Sequence, residues 1–207
     1  MPRPTVALLD RPTIARAALE MLDTDKTFTM PGLAKKLGVA VSSLYHHVNS
    51  REELMELLRT TVAGDLNAKI DWKSSWDDVI RQWLIGYRDA LGAHPELIRE
   101  LTTHTISAPA VLEAYNALAG VLSAAGFADA RVIHVIALLD MVALGGALDA
   151  AAPADVWSID ASADDGALAR SVRSAPQGRQ RVDTAFTFAI DTVLAGLRHD
   201  LDASVRR

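Results

Sequence analysis

Between Phe28 and Val48 the chain has room for two short helices and a sharp turn, and for little else. Thr29 is a good N-cap residue, Leu33 and Leu37 face inward, and Gly38 falls where a left-handed C-cap residue belongs. A second short helix is expected over Val41–Val48. Gly38 tolerates positive φ, so the two helices can meet at a steep angle, with Ala34, Leu37, Val39 and Leu44 filling the inner corner. The second helix then shows small and polar side chains outward: Ser42, Ser43, His46 and His47. That surface suits a helix lying in a major groove. The competing arrangement is a helical hairpin inside a bundle. Adjacent residues on a helix diverge by about 100°, so His46 and His47 do not share an ion, and no metal site is expected.

Helical periodicity continues on both sides of this segment. Asp10 caps a first helix over about Arg11–Asp23, with Pro12 in its first turn and Ile14, Ala18, Leu19 and Leu22 on one face. Ser50 followed by Glu53 has the spacing of a capping box and opens a long helix through Leu54, Leu57, Leu58, Val62 and Leu66. From Ser75 onward, Trp76, Val79, Ile80, Trp83, Leu84, Tyr87 and Leu91 repeat at helical spacing until His94-Pro95 breaks them. Leu97, Ile98 and Leu101 mark a short helix. Pro109 opens another, which ends at Gly126. The helix expected at 129–149 is apolar on more than one face, so burial on more than one side is expected. The last helix is expected at 182–197. Between them, 150–178 reads as a long Ala-, Asp-, Ser- and Arg-rich loop, mobile or functional. No period-two alternation and no hairpin signal interrupts this pattern. The fold class is therefore all-α: an N-terminal three-helix helix-turn-helix domain (1–50) continuing into a connecting helix (51–70), then a larger helical domain (71–207).

The net charge of −5 divides unevenly. Residues 1–60 carry eight Lys/Arg against seven Asp/Glu, and the rest carry thirteen against nineteen. A near-neutral head on an acidic body binds DNA through a few clustered contacts, and salt weakens it. Cysteine is absent, which removes disulfides and thiolate metal sites and suits a reducing compartment. Neither a leader-like N-terminus nor an uncharged apolar stretch of membrane-spanning length is read, so a cytoplasmic chain without a membrane partner is expected.

The residues from Leu33 to Leu54, LAKKLGVAVSSLYHHVNSREEL, resemble the DNA-binding head of the tetracycline-repressor (TetR) family. Leu33, Ala34, Leu37, Gly38, Val39, Leu44, Tyr45, His47, Val48, Arg51 and Leu54 all fall on that signature. The first helix, LDRPTIARAALEMLD, is similar to the family's opening helix. Gly126-Phe127 and 141–149 resemble its C-terminal domain more loosely. The resemblance implies a ligand-responsive repressor that binds a near-palindromic operator as a homodimer and is released by a small lipophilic or drug-like effector. It implies phosphate contacts from Thr29, Tyr45, His47 and Arg51, and base-facing positions at Val41, Ser42, Ser43 and His46. Pro31 and Val41 stand where the founding repressor has a guanine-reading arginine and a glutamine, so the operator is expected to differ. The dimer is expected to form a four-helix bundle from 129–149, 182–199 and their symmetry mates.

Candidate pocket residues in the body are Trp83, Tyr87, His104, Tyr115, His134, Asp140 and Met141. Trp83, Tyr87 and Tyr115 lie on apolar stripes and suit plain core equally well. Asp140 and His134 are either buried and partnered, or exposed or dimer-facing. His104 lies near the family's ligand region, but no metal role is carried over. Trp157 is a lid, a partner contact or an exposed ring. No cofactor is implied. Two other classes remain open: a helical DNA-binding dimer without effector, and a small helical enzyme. The second lacks a nucleophile–base spacing, a metal-ligand run and a phosphate-binding glycine loop.

Overall fold

In the computed structural model, residues 9–153, 156–159 and 166–205 are described, and they contain helices and no strand. The helices are α1 (Arg11–Asp25), α2 (Met30–Leu37), α3 (Val41–Tyr45), α4 (Arg51–Lys69), α5 (Trp76–Gly92), α6 (Pro95–Thr102), α7 (Pro109–Ala124), α8 (Asp129–Ala151), α9 (Ala167–Ser174) and α10 (Gly178–Val205). Their contacts form two units. The first runs up to Lys69 and takes in His94–Asn116. The second holds Ile70–Ala93 and the residues from Ala117 onward. Residues 94–116, read from sequence as part of the body, thus group with the N-terminal helices.

Local chemistry sets the helix ends of the first unit. Asp10 accepts from the Thr13 amide at 2.8 Å, and α1 runs two residues past the expected end before Lys26 closes it at φ 63. Thr29 Oγ1 accepts from the Gly32 amide at 3.1 Å to start α2. Gly38 ends α2 at φ 68. Its amide donates to the Lys35 carbonyl at 3.2 Å, and the next amide, of Val39, reaches the Ala34 carbonyl at 3.0 Å. This paired closure is a Schellman turn. The core of the unit is Ile14, Leu22, Phe28, Leu33, Leu44, Leu54, Leu58 and Leu97, all essentially inaccessible. Each such side chain contributes about 1.5–3 kcal/mol of burial free energy.

The second unit is built on α5 and α8. The buried face of α5 is Val79, Ile80, Trp83, Leu84, Arg88 and Leu91. That of α8 is Val132, Val135, Ile136, Leu139, Ala143 and Ala147. Small residues bring the two backbones together: a β-carbon on Gly92 would lie 3.7 Å from the Ala147 carbonyl. Trp83 stacks edge-on against Trp72 and Tyr87, with ring centroids 6.3 and 5.9 Å away. Arginine–aspartate pairs tie α10 to its neighbours. Arg181 grips Asp149 through two bonds of 3.1 Å, Arg131 meets Asp200 at 2.7 Å, and Arg88 reaches Asp183 while lying over the Phe186 ring.

Three expectations need correction. The long loop at 150–178 is interrupted by α9, and α10 starts at Gly178 and ends at Val205, well beyond 182–197. Of that loop, 154–155 and 160–165 lie outside the described residues. Helix α9 is two turns long, has no side-chain cap bond and buries only Ala169, with Leu168 half exposed, so it carries few of the signals of a long core helix. The recognition segment is helical over Val41–Tyr45 rather than to Val48, because the His47 amide bonds back only three residues, to the Leu44 carbonyl at 2.9 Å, which tightens the last turn. Within this chain α8 buries one stripe, and Ile133, Met141 and Leu148 on its outer side stand half to two-thirds exposed. Among the described residues α8 is also long and apolar enough to cross a membrane by length and composition, with a third of its apolar window buried.

Candidate nucleic-acid interface

Helices α2 and α3 pack together around the Gly38 turn, and α1 packs on both α2 and α4. Leu44 and Val48 are fully buried, which fixes the rotation of α3. The opposite side is thereby open: Ser42, Tyr45 and His46 are exposed, with Tyr45 showing 44% of its surface. Val41, Ser43 and His47 are half-buried beside them. Thr29 is exposed at the start of α2, its hydroxyl oxygen accepting from Gly32. Of the seven positions, Thr29 caps the start of α2, Val41, Ser42, Ser43 and Tyr45 lie in α3, and His46 and His47 follow in the turn after it.

Arg51, at the start of α4, is held by partners within this unit. Its Nη1 donates to the Phe28 carbonyl at 3.0 Å and its Nη2 to Glu100 at 2.9 Å. The guanidinium also lies 4.5 Å from the centre of the Phe28 ring. Arg51 braces the start of α4 against Phe28 and α6, with 35% of its side chain still exposed. Other head cations are also paired: Lys36 with Glu20 at 3.0 Å and Lys26 with Glu96 at 3.8 Å. Arg16 and Lys35 are exposed and have no carboxylate partner among the described residues.

Sequence reasoning missed the residues that hold this surface in place. The capping box is only half formed: the Ser50 hydroxyl accepts from the Glu53 amide at 3.1 Å, but the Glu53 carboxylate does not return to Ser50. It accepts instead from the backbone and side-chain amides of Asn49, both at 2.7 Å, and from Arg11 at 2.6 Å. The Arg11 and Asn49 bonds hold the Glu53 carboxyl down to about 2. The spacing Ser50–Glu53 announced a cap. Nothing local announced Arg11, which is 42 residues away.

The pocket candidates point in different directions. Trp83 is buried and Tyr87 half-buried in the second unit, while His134 and Met141 stand exposed on α8 and Asp140 is half-buried between those faces. Tyr115 is half-buried on α7. His104 belongs to the first unit, where Nδ1 lies 2.7 Å from the Glu100 carbonyl. It lines a cleft of about 810 Å³ between α4 and the α6–α7 turn, along with Glu52, Glu56, Thr60, Ser107 and Pro109. Trp157 is exposed, beside a small groove lined by Pro176 and Arg181.

A helix-turn-helix head joined to a helical body defines a class, and the comparisons identify it. Residues 71–201 match the tetracyclin repressor-like C-terminal domain, and the chain belongs to the TetR family of transcriptional regulators. It is 29% identical over 143 residues to an HTH-type transcriptional regulator of Saccharopolyspora erythraea, a match covering 68% of this chain and 61% of that protein. It is 25% identical over 153 residues to the HTH-type transcriptional repressor DrrR1 of Streptomyces coeruleorubidus, covering 70% and 54%. The matched region thus spans little more than half the length of these curated relatives. The fold is similar to that of the TetR family protein ActR of Streptomyces coelicolor in complex with (S)-DNPA. The TM-score is 0.74 at 23% identity over 94% of this chain and 99% of that one.

Proposed function

We propose that this chain is a ligand-responsive transcriptional repressor that binds a near-palindromic operator as a homodimer and is released by a small lipophilic or drug-like effector. The observation that carries the reading is the Schellman turn at Gly38, which leaves α3 with Leu44 buried and Ser42, Tyr45 and His46 open. Tyr45, His47 and Thr29 are the positioning contacts to phosphate, and Val41, Ser42, Ser43 and His46 face the bases. Arg51, braced by Glu100 and partly exposed, adds a phosphate contact at the start of α4, and Arg16 and Lys35 join them as exposed cations. Residues 1–50 form the DNA-binding domain and 71–207 the sensing and dimerising one.

The dimer rests on a separate feature. The outer side of α8 carries Ile133, Ala137, Met141 and Leu148, and α10 carries Ala185, Phe188 and Thr192, all exposed. Phe188 shows 72% of its surface and Met141 64%. Apolar side chains left exposed along two long helices suit a four-helix interface with a symmetry mate. Two heads held by that interface reach successive major grooves. Effector release fits the ligand-bound state of ActR. A coupling of about 1–3 kcal/mol between effector and operator is enough.

The test is selection of duplexes from a random-sequence pool by the full chain, followed by a salt-series gel shift on the enriched sequence. Enrichment of an inverted repeat with steep salt dependence supports the reading. Failure to enrich any sequence at low salt rejects it.

A further inference from the structure

Helix α3 is five residues long and has no side-chain N-cap bond, so beyond the burial of Leu44, which sets its rotation, little within it holds its end in place. Its exit is held from outside. Arg11, the first residue of α1, donates through Nη1 to the His47 carbonyl at 2.7 Å and to Glu53 Oε1 at 2.6 Å. Glu53 Oε2 accepts both amides of Asn49. The ring Arg11–Glu53–Asn49 therefore spans α1, the α3–α4 turn and the first turn of α4, and it closes on the backbone of His47. A cation on carbonyls just past a helix end is favourable, and these charge-assisted bonds are the stronger kind. Glu53 remains ionised throughout the working pH range, since Arg11 and Asn49 hold it at about 2.

We infer that Arg11 and Glu53 are positioning residues for DNA binding, which set the exit of the recognition helix and touch no DNA themselves. This rests on the reading of the head as a DNA-binding module. The rival role for Arg11, whose side chain is 45% exposed, is a direct phosphate contact. The two roles predict opposite signs at Glu53. Removing a carboxylate beside a phosphate-binding arginine strengthens attraction to DNA, whereas removing it from a clamp lets the helix exit move and weakens binding.

The experiment measures affinity of the full chain for the duplex it enriches from a random pool, across a series of potassium chloride concentrations. Glu53→Gln and Arg11→Ala are each expected to weaken binding about tenfold with the salt slope unchanged, and the double variant is expected to be no worse than either single one. Arg11→Lys keeps the charge but lacks the fork that meets both acceptors, so it should weaken binding too. If Arg11→Ala melts below the assay temperature, Arg11→Lys and Glu53→Gln decide the matter. Tighter binding by Glu53→Gln, full activity of Arg11→Lys, or a slope reduced by about 0.9 per head in Arg11→Ala would overturn the proposal. Failure of the wild-type chain to enrich any duplex is a different outcome: it rejects the DNA-binding reading itself, and the proposal with it.

Discussion

Glu56 and Arg59 lie one turn apart on α4 and hold the two ends of the same connection. Arg59 Nη2 donates to the carbonyls of Leu101 and His104, at 3.0 and 3.3 Å, where α6 ends. Glu56 Oε2 accepts from the amides of Ser107 and Ala108, at 2.8 and 2.6 Å, where α7 begins. The two side chains also meet each other at 3.0 Å. Each charge thus sits on the helix end of opposite partial charge. Burial pushes the Glu56 carboxyl up, but the two amides and Arg59 outweigh it and leave it below its ordinary value.

Arg59 is buried, so removing it leaves Glu56 Oε1 and two carbonyls without that donor and the Glu56 charge without its cation. Arg59→Ala should cost about 3–5 kcal/mol, read as a lower urea midpoint. Glu56→Gln keeps one oxygen for the two amides, which both bond Oε2, but loses the carboxylate oxygen facing Arg59, and should cost about 1–2 kcal/mol. Equal costs for the two would argue against this division of roles.

Acid should destabilise the protein through identifiable groups. Glu53 is held at about 2 against an ordinary 4.5, by Arg11 first and Asn49 next. Asp77 is held at about 2 against 3.8, by Ser75 and Arg198. Both values are depressed by folding, so the stability they contribute is present above the ordinary carboxylate range and lost as pH falls toward 2. Melting temperatures should be level near neutrality and drop below about pH 5. In Glu53→Gln the drop should be shallower, with a lower starting value.

Gly38 has open space around its α-carbon, so Gly38→Ala is opposed by backbone conformation alone. The left-handed geometry costs an alanine about 1–2 kcal/mol. Gly38→Asn should lose less than Gly38→Ala in thermal melts, because asparagine tolerates that conformation.

Gly146 presents the opposite case. A β-carbon there would collide with the edge of the Phe186 ring, which is itself pinned beneath Arg88. Gly146→Ala should destabilise by about 1–3 kcal/mol through overpacking, despite the better helix propensity of alanine.

Phe188→Glu combined with Met141→Glu should convert the proposed dimer to monomer in sedimentation velocity. Both side chains are exposed within one chain, so helical content should be kept. A dimer that survives both changes places the interface elsewhere.

The parts legible in the sequence are those whose geometry is local. Thr29, Gly38 and Ser50 each bond within a few residues, and each helix end they announce is present. What stayed hidden depends on distant partners. Arg51 matches a signature position, yet Glu100 and Phe28 determine where its guanidinium goes. Trp83 and Met141 both lie on helices with apolar stripes, and only the packing of α5 on α8 turns one inward and leaves the other outside. Helix α9 escaped notice because it is only eight residues long and starts after Gly166 without a side-chain cap bond, so neither length nor a cap residue announces it.

All four tryptophans, Trp72, Trp76, Trp83 and Trp157, belong to the second unit, whereas the first holds Tyr45 and Tyr115. Emission excited selectively at tryptophan therefore reports on one unit alone. A head that melts early would pass unseen by fluorescence and show only as lost helical ellipticity. The absence of cysteine supplies the remedy: a single thiol introduced on an exposed face of α1 would carry a label with no competing site. Two colours in one molecule would then record whether the two units unfold together or in turn.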